Sequence, residues 1–170
     1  MAIGYDFFCD GYDELYGEEQ SGKYRRCFEL VSGRFERLCD VGCGTGLFKM
    51  FLRDAGVGCD YVGVDVSAGM LRKARERCDE STHLLQADAH HLPFRDKVFS
   101  HVFAFTVVHH LNPDRFITEA ERVCTELVVV SQHKRLSPRI QQGVRELGSV
   151  DEFVFIDCST VFRQASGGGC

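Results

Sequence analysis

Apolar residues along this chain fall into short extended runs separated by clusters at helical spacing. Runs at Arg37 to Val41, Tyr61 to Val66, His83 to Ala87, Val98 to Val107 and Leu127 to Ser131 predict five strands. Between them the period changes. Leu47, Phe48, Phe51, Leu52 and Ala55 share one face of a helix that Gly56 ends, and Met70, Leu71, Ala74 and Cys78 share one face of a helix over Ala68 to Cys78. Asn112 and Pro113 read as the N-cap and first residue of a third helix through Cys124, with Phe116, Ile117, Ala120 and Val123 inward. The run V-F-A-F-T-V-V has almost no polar break, which suits a central strand covered on both faces.

Strands alternating with helices of roughly 10 to 15 residues imply parallel βαβ units, hence an α/β fold with a doubly wound, mostly parallel sheet in three layers. One domain over residues 1–164 is expected. Within it, 1–33 forms an N-terminal lid segment that turns helical from Lys23 to Val31, and 34–131 forms the core. Residues 132–164 complete the domain, and a tail at 165–170 is flexible. Tyr12 and Tyr16 are the lid's candidate substrate contacts. In the C-terminal part the pattern predicts a helix near Pro138 to Leu147, a strand at Glu152 to Asp157 and a short β-prone run at Thr160 to Phe162.

Composition narrows the function classes. A net charge of −5 over 170 residues argues against a broad basic surface, so nucleic acid could bind only through a local patch or a partner. Nine scattered cysteines form no C-x-x-C pair and read as reduced, small hydrophobes, and no resident metal is expected. No apolar run approaches the ~20 residues that span a bilayer, and Met1 to Asp10 lacks the basic and apolar regions of a signal peptide. A cytoplasmic protein without membrane contact is the expectation.

Candidate chemistry gathers at strand ends. L-C-D-V-G-C-G-T-G-L-F at Leu38 to Phe48 is a strand breaking into a glycine loop that opens a helix, with Asp40 just before the turn. Its G-x-G-x-G spacing differs from a dinucleotide fingerprint, because Leu47 stands where the last glycine would be. This speaks against a nicotinamide-dependent reductase. Asp65 ends the second strand, where an acid can accept from both ribose hydroxyls; Asp88 ends the third, and Thr106 to His110 follow the fourth.

In that order these residues resemble class I S-adenosylmethionine-dependent methyltransferases of the ubiquinone-biosynthesis-like, type 11 branch, over about Leu38 to Ser131. The resemblance implies a Rossmann-like fold and S-adenosylmethionine as cofactor, left as S-adenosylhomocysteine. Asp40 and the loop of Gly42, Cys43, Gly44 and Gly46 would hold the methionine end, Asp65 the ribose, and Val66, Asp88 and Ala89 the adenine. Phe105 and Thr106 would line the pocket under the sulfonium, and His109 and His110 are the candidate general bases. The chain departs from the family in lacking a glycine turn before the fifth strand and in its short C-terminal part.

The segments T-V-V-H-H-L-N-P and Y-D-E-L-Y-G-E-E-Q also resemble methyltransferases of tRNA wobble uridines and their archaeal relatives. That likeness implies a small zinc-binding activator pairing with the edge strand at His83 to Ala87. The acceptor is unidentified: RNA or protein with such an activator, a small molecule taken by the chain alone, or none if the chain is a non-catalytic subunit.

Overall fold

In the computed structural model, which describes residues 11–31, 33–147 and 151–159, helix α1 runs from Tyr12 to Leu30. Asp13 and Glu14 in its first turn face the positive end of the helix dipole. The helix starts earlier than its apolar face predicts, because the acidic lead is anchored through Asp13 to Thr45 and Arg77. Tyr5, Thr160 to Phe162 and the tail lie outside the described residues.

The alternating core follows as the pattern predicts: β1 (Arg37–Val41), α2 (Leu47–Asp54), β2 (Asp60–Asp65), α3 (Ala68–Ala74, with a 3-10 turn at Arg75–Arg77) and β3 (Thr82–Gln86). Next come β4 (Phe99–Phe105), a 3-10 turn at Val108–His110, α4 (Pro113–Val123) and β5 (Cys124–His133). Ser67 caps α3 by accepting from Met70 N at 3.1 Å, and Asn112 caps α4 by accepting from Arg115 N at 3.1 Å.

Two corrections fall in the C-terminal half. The expected helix near Pro138 to Leu147 is instead a loop and a strand, β6 (Val144–Leu147), which pairs antiparallel with β7 (Asp151–Asp157). Gly143 explains the reversal. Its φ is +93°, and a Cβ there would stand 2.8 Å from the Phe155 carbonyl oxygen, so the chain bends hard against β7 and cannot continue a helix. The expected start of the fifth strand at Leu127 is also late. Cys124 already has extended φ/ψ, so α4 passes into β5 directly and needs no glycine turn.

Among the described residues seven strands lie in the order β3-β2-β1-β4-β5-β7-β6, and of these only β7 runs antiparallel to its neighbours. This completes the sheet whose tail the sequence left open. Every residue of β4 is buried, as its unbroken apolar run requires. One face packs Val41, Val64, Val102 and Val128 against Phe116, Ile117 and Ala120 of α4. On the other, Leu38, Phe103 and Val129 meet Phe48 and Leu52 of α2 and Tyr24 and Cys27 of α1. Each fully buried large apolar side chain contributes about 1.5–3 kcal/mol, so this double burial fixes the strand ends on which the polar residues sit.

Candidate active site

The glycine loop is shaped by two backbone requirements. Past β1, the N–H groups of Gly42 and Cys43 both donate to the Val64 carbonyl, at 2.7 and 3.0 Å, which turns the chain sharply over β2. Gly42 has φ +75°, and a Cβ there would lie 2.8 Å from Val107 Cγ2. Gly46 opens α2 at φ +81°, and its Cβ would come 3.3 Å from the backbone of Ala74. Cys43 tucks beneath, buried.

Two acids flank this loop. Asp40 is 2% exposed and accepts from the Tyr61 hydroxyl at 2.5 Å. Burial lifts its carboxyl to about 7, against the lowering effect of the Tyr61 hydrogen bond, with the Asp65 charge adding to the rise. Asp65 accepts from Gly44 N through Oδ2 and from Ser67 N through Oδ1, both at 2.9 Å.

A cleft over the loop is lined by Asp40, Gly42, Cys43, Gly44, Thr45 and Leu47, with Phe105 from β4 and Gln20 and Tyr24 from α1. Its volume is about 20 Å³, room for about one water. Gln20 is buried, and its Oε1 has no hydrogen-bond partner among the described residues. Asp40 and Gln20 therefore both present acceptors to the cleft, a set that suits a donor such as an ammonium group.

At the ends of β2 and β3, Val66 is 53% exposed and accepts through its carbonyl from Gln86 Nε2 at 2.9 Å. Asp88 Oδ1 accepts from the His90 backbone N–H at 2.8 Å and faces the His90 ring Nδ1 at 2.7 Å. These bonds, the backbone one first, hold the Asp88 carboxyl below its ordinary value. His90 Nε2 in turn accepts from Asn112 N at 2.9 Å, so Nδ1 carries the proton towards Asp88 and the ring links the β3 loop to the start of α4. Ala89 packs half-buried against the core.

Past β4, Thr106 has φ +56°, a strained conformation for a β-branched residue. Its N–H donates to the carbonyl and hydroxyl oxygens of Ser131, both at 3.0 Å, and its Oγ1 accepts from Lys23 Nζ at 2.9 Å. The rings of His109 and His110 lie 3.8 Å apart. Burial pushes His109 below the usual histidine range, with the charges of His110, His133 and Lys23 acting in the same direction. Burial also lowers His110.

Of the lid tyrosines, Tyr16 is 45% exposed, and the side chain of Tyr12 lies outside the described residues. The cleft contacts on α1 are Gln20 and Tyr24, with Lys23 beside Thr106. A signal for Lys23 was present in the sequence: it lies four residues before Cys27 on the apolar face, an unusual place for a lysine unless paired.

Residues 39–127 match a family described as a methyltransferase domain. Phosphatidylethanolamine N-methyltransferase of Cereibacter sphaeroides is 34% identical over 134 residues, covering 73% of this chain and 64% of that protein. Malonyl-[acyl-carrier protein] O-methyltransferase of Geobacter sulfurreducens is 38% identical over 93 residues, covering 53% of this chain and 35% of that protein. The chain thus spans less than two thirds of either relative. Among solved structures, a candidate methyltransferase of Haloferax volcanii in complex with the Trm112 methyltransferase activator superposes with a TM-score of 0.66. That match has 24% identity and covers 75% of this chain and 59% of that one. A SAM dependent methyltransferase from Aquifex aeolicus gives 0.64 at 16% identity, covering 78% and 87%.

Proposed function

The chain belongs to the methyltransferase-domain family of S-adenosylmethionine-dependent enzymes, and from that premise we propose that it transfers a methyl group to an acceptor reaching the ends of β4 and β5. The observation that carries this reading is the acceptor-lined cleft over the glycine loop. Buried Asp40 and the orphaned Gln20 Oε1 fit the ammonium of the cofactor's methionine part, and the close backbone at Gly42 fits a ligand that a side chain would exclude. Asp65 ends β2 beside the loop, where a carboxylate fits ribose hydroxyls, and Asp88 and the exposed Val66 stand at the neighbouring strand ends for adenine.

S-adenosylmethionine, when bound, supplies a methyl group on a positively charged sulfur, open to attack by an electron pair. The protein's part is alignment and exclusion of water. Phe105 and Tyr24, whose rings stand 4.8 Å apart, wall the cleft. A cleft of about 20 Å³ is too small for the methionine part of the cofactor, so on this reading α1 moves on binding and acts as the lid. Where the acceptor must lose a proton, His109, held neutral at pH 7 by burial, is the group to take it. Incubation with methyl-labelled cofactor and fractionated host extract tests this: label entering one acceptor fraction supports it, and none entering any fraction opposes it.

A partner reading has its own support. β3 is one of the two edge strands, and no strand among the described residues pairs with its outer side, which leaves that side for β-pairing by a small zinc-binding activator. The Haloferax volcanii protein of the same fold was solved with a methyltransferase activator. Co-expression with such a protein tests this; unchanged solubility and no co-purification would oppose it.

A further inference from the structure

Lys23 sits in a place built for an ammonium group. Its Nζ donates to Thr106 Oγ1 at 2.9 Å and forms ion pairs with Asp151 Oδ2 at 2.8 Å and Glu19 Oε1 at 2.7 Å. The lysine is 7% exposed and Asp151 only 3%. Asp151 begins β7 and is register partner of His133 in β5, so it stands at the same end of the sheet as Thr106 and Ser131. Both of its carboxylate oxygens are buried with no hydrogen-bond partner among the described residues, so the ion pair with Lys23 is what compensates the charge.

These contacts divide into a fixed part and a moving part. Asp151 begins β7 and Thr106 directly follows β4, tied to Ser131 of β5, whereas Lys23 and Glu19 ride on α1 together with Gln20 and Tyr24, which close the cofactor cleft. When α1 shifts to admit the cofactor, Lys23 is drawn from its place. A nearly buried carboxylate is then left without its cation, a situation that costs several kcal/mol unless another cation arrives. Thr106, held in a strained backbone conformation by Ser131, keeps its hydroxyl directed at that position. The vacated place adjoins Phe105, a wall of the cleft, and His109, whose titration feels both Lys23 and Asp151.

We propose that Asp151 and Thr106 form an ammonium subsite for the methyl acceptor, which Lys23 fills in the closed form, so that the acceptor of this enzyme is an amine: the bound ammonium loses one proton to solvent, the freed nitrogen lone pair takes the methyl as the C–S bond breaks, and the positive charge passes from sulfur to the nitrogen beside Asp151. This rests on the methyltransferase reading for the word acceptor; the subsite itself rests on geometry alone. A carboxylate or phosphate acceptor would meet Asp151 as a like charge, and a neutral alcohol would leave its charge uncompensated.

The test uses n-butylamine hydrochloride, n-butanol and sodium butyrate as probes of equal length, titrated into the S-adenosylhomocysteine complex and followed by NMR shifts and melting temperature. Butylamine is expected to bind about ten-fold or more tighter than the other two, the worth of one charge-assisted contact, and Asp151→Asn to remove that preference. Equal binding of the three, or an amine preference that survives Asp151→Asn, overturns the proposal. Lys23→Met provides a second arm without S-adenosylhomocysteine. With the lysine gone, butylamine should bind about ten-fold more tightly than to wild type and raise the melting temperature; no gain overturns the subsite. If S-adenosylhomocysteine fails to bind wild type, the methyltransferase reading falls, while the Lys23→Met arm still decides the ammonium subsite.

Discussion

The Tyr61 hydroxyl donates to Asp40 Oδ2 at 2.5 Å, with the tyrosine wholly buried and the carboxylate 2% exposed directly beneath the glycine loop. Burial raises the Asp40 carboxyl from 3.8 to about 7 in the folded protein. A raised folded value means stability that is full below the unfolded value and is lost as pH rises through the folded one. Cofactor-free protein should therefore lose up to about 4 kcal/mol from this group between pH 4 and 8. Asp40→Asn should flatten that slope and melt higher than wild type at pH 8; parallel melting-temperature profiles of the two proteins would contradict the assignment.

The same carboxyl makes cofactor binding pH-dependent. An ammonium group in the cleft favours ionised Asp40, so affinity should rise from pH 6 to 8 with release of a proton. Calorimetry in two buffers of different ionisation enthalpy reads that proton directly. Asp40→Asn should bind more weakly at pH 8 and show no buffer dependence.

Gly42 tolerates no side chain. With φ +75° and Val107 Cγ2 at 2.8 Å from a Cβ, Gly42→Ala should destabilise the protein by roughly 1–3 kcal/mol and reduce cofactor affinity. Val107→Ala in the same protein should restore only part, since the clash is relieved while the backbone strain stays. Urea unfolding of the single and double variants separates the two effects.

His109 should matter for transfer and not for cofactor affinity. Its folded pKa is lowered by burial, so the neutral form persists at pH 7 and is lost only as pH falls below the ordinary histidine value. For an acceptor that must lose a proton, His109→Ala should cut kcat by about 10²-fold or more and leave the dissociation constant of S-adenosylhomocysteine unchanged. An unaltered rate would reduce His109 to packing beside His110.

The core elements were legible because each carries a local signal: unbroken apolar β4, Asn112–Pro113 opening α4, Ser67 capping α3. The fold family was legible in the order of Asp40, Asp65, Asp88 and Thr106 along the chain. The β6–β7 hairpin was not, because helical spacing over residues 138–147 is overridden by pairing with β7 and by the bend at Gly143, both tertiary effects. Gln20, Tyr24, Lys23, Ser131 and Asp151 were missed for a similar reason. They come together only when α1 crosses the strand ends, and only Gln20 sits in a motif singled out from the sequence, Y-D-E-L-Y-G-E-E-Q.

The most direct measurement is an equilibrium titration of S-adenosylhomocysteine into wild type and Asp65→Ala, with circular dichroism on both. The account predicts one site per chain in wild type. Asp65→Ala should weaken it about ten-fold or more while the domain stays folded, because the variant loses the ribose acceptor and the ties to Gly44 and Ser67. No binding to wild type, or equal binding to a folded Asp65→Ala, would contradict it.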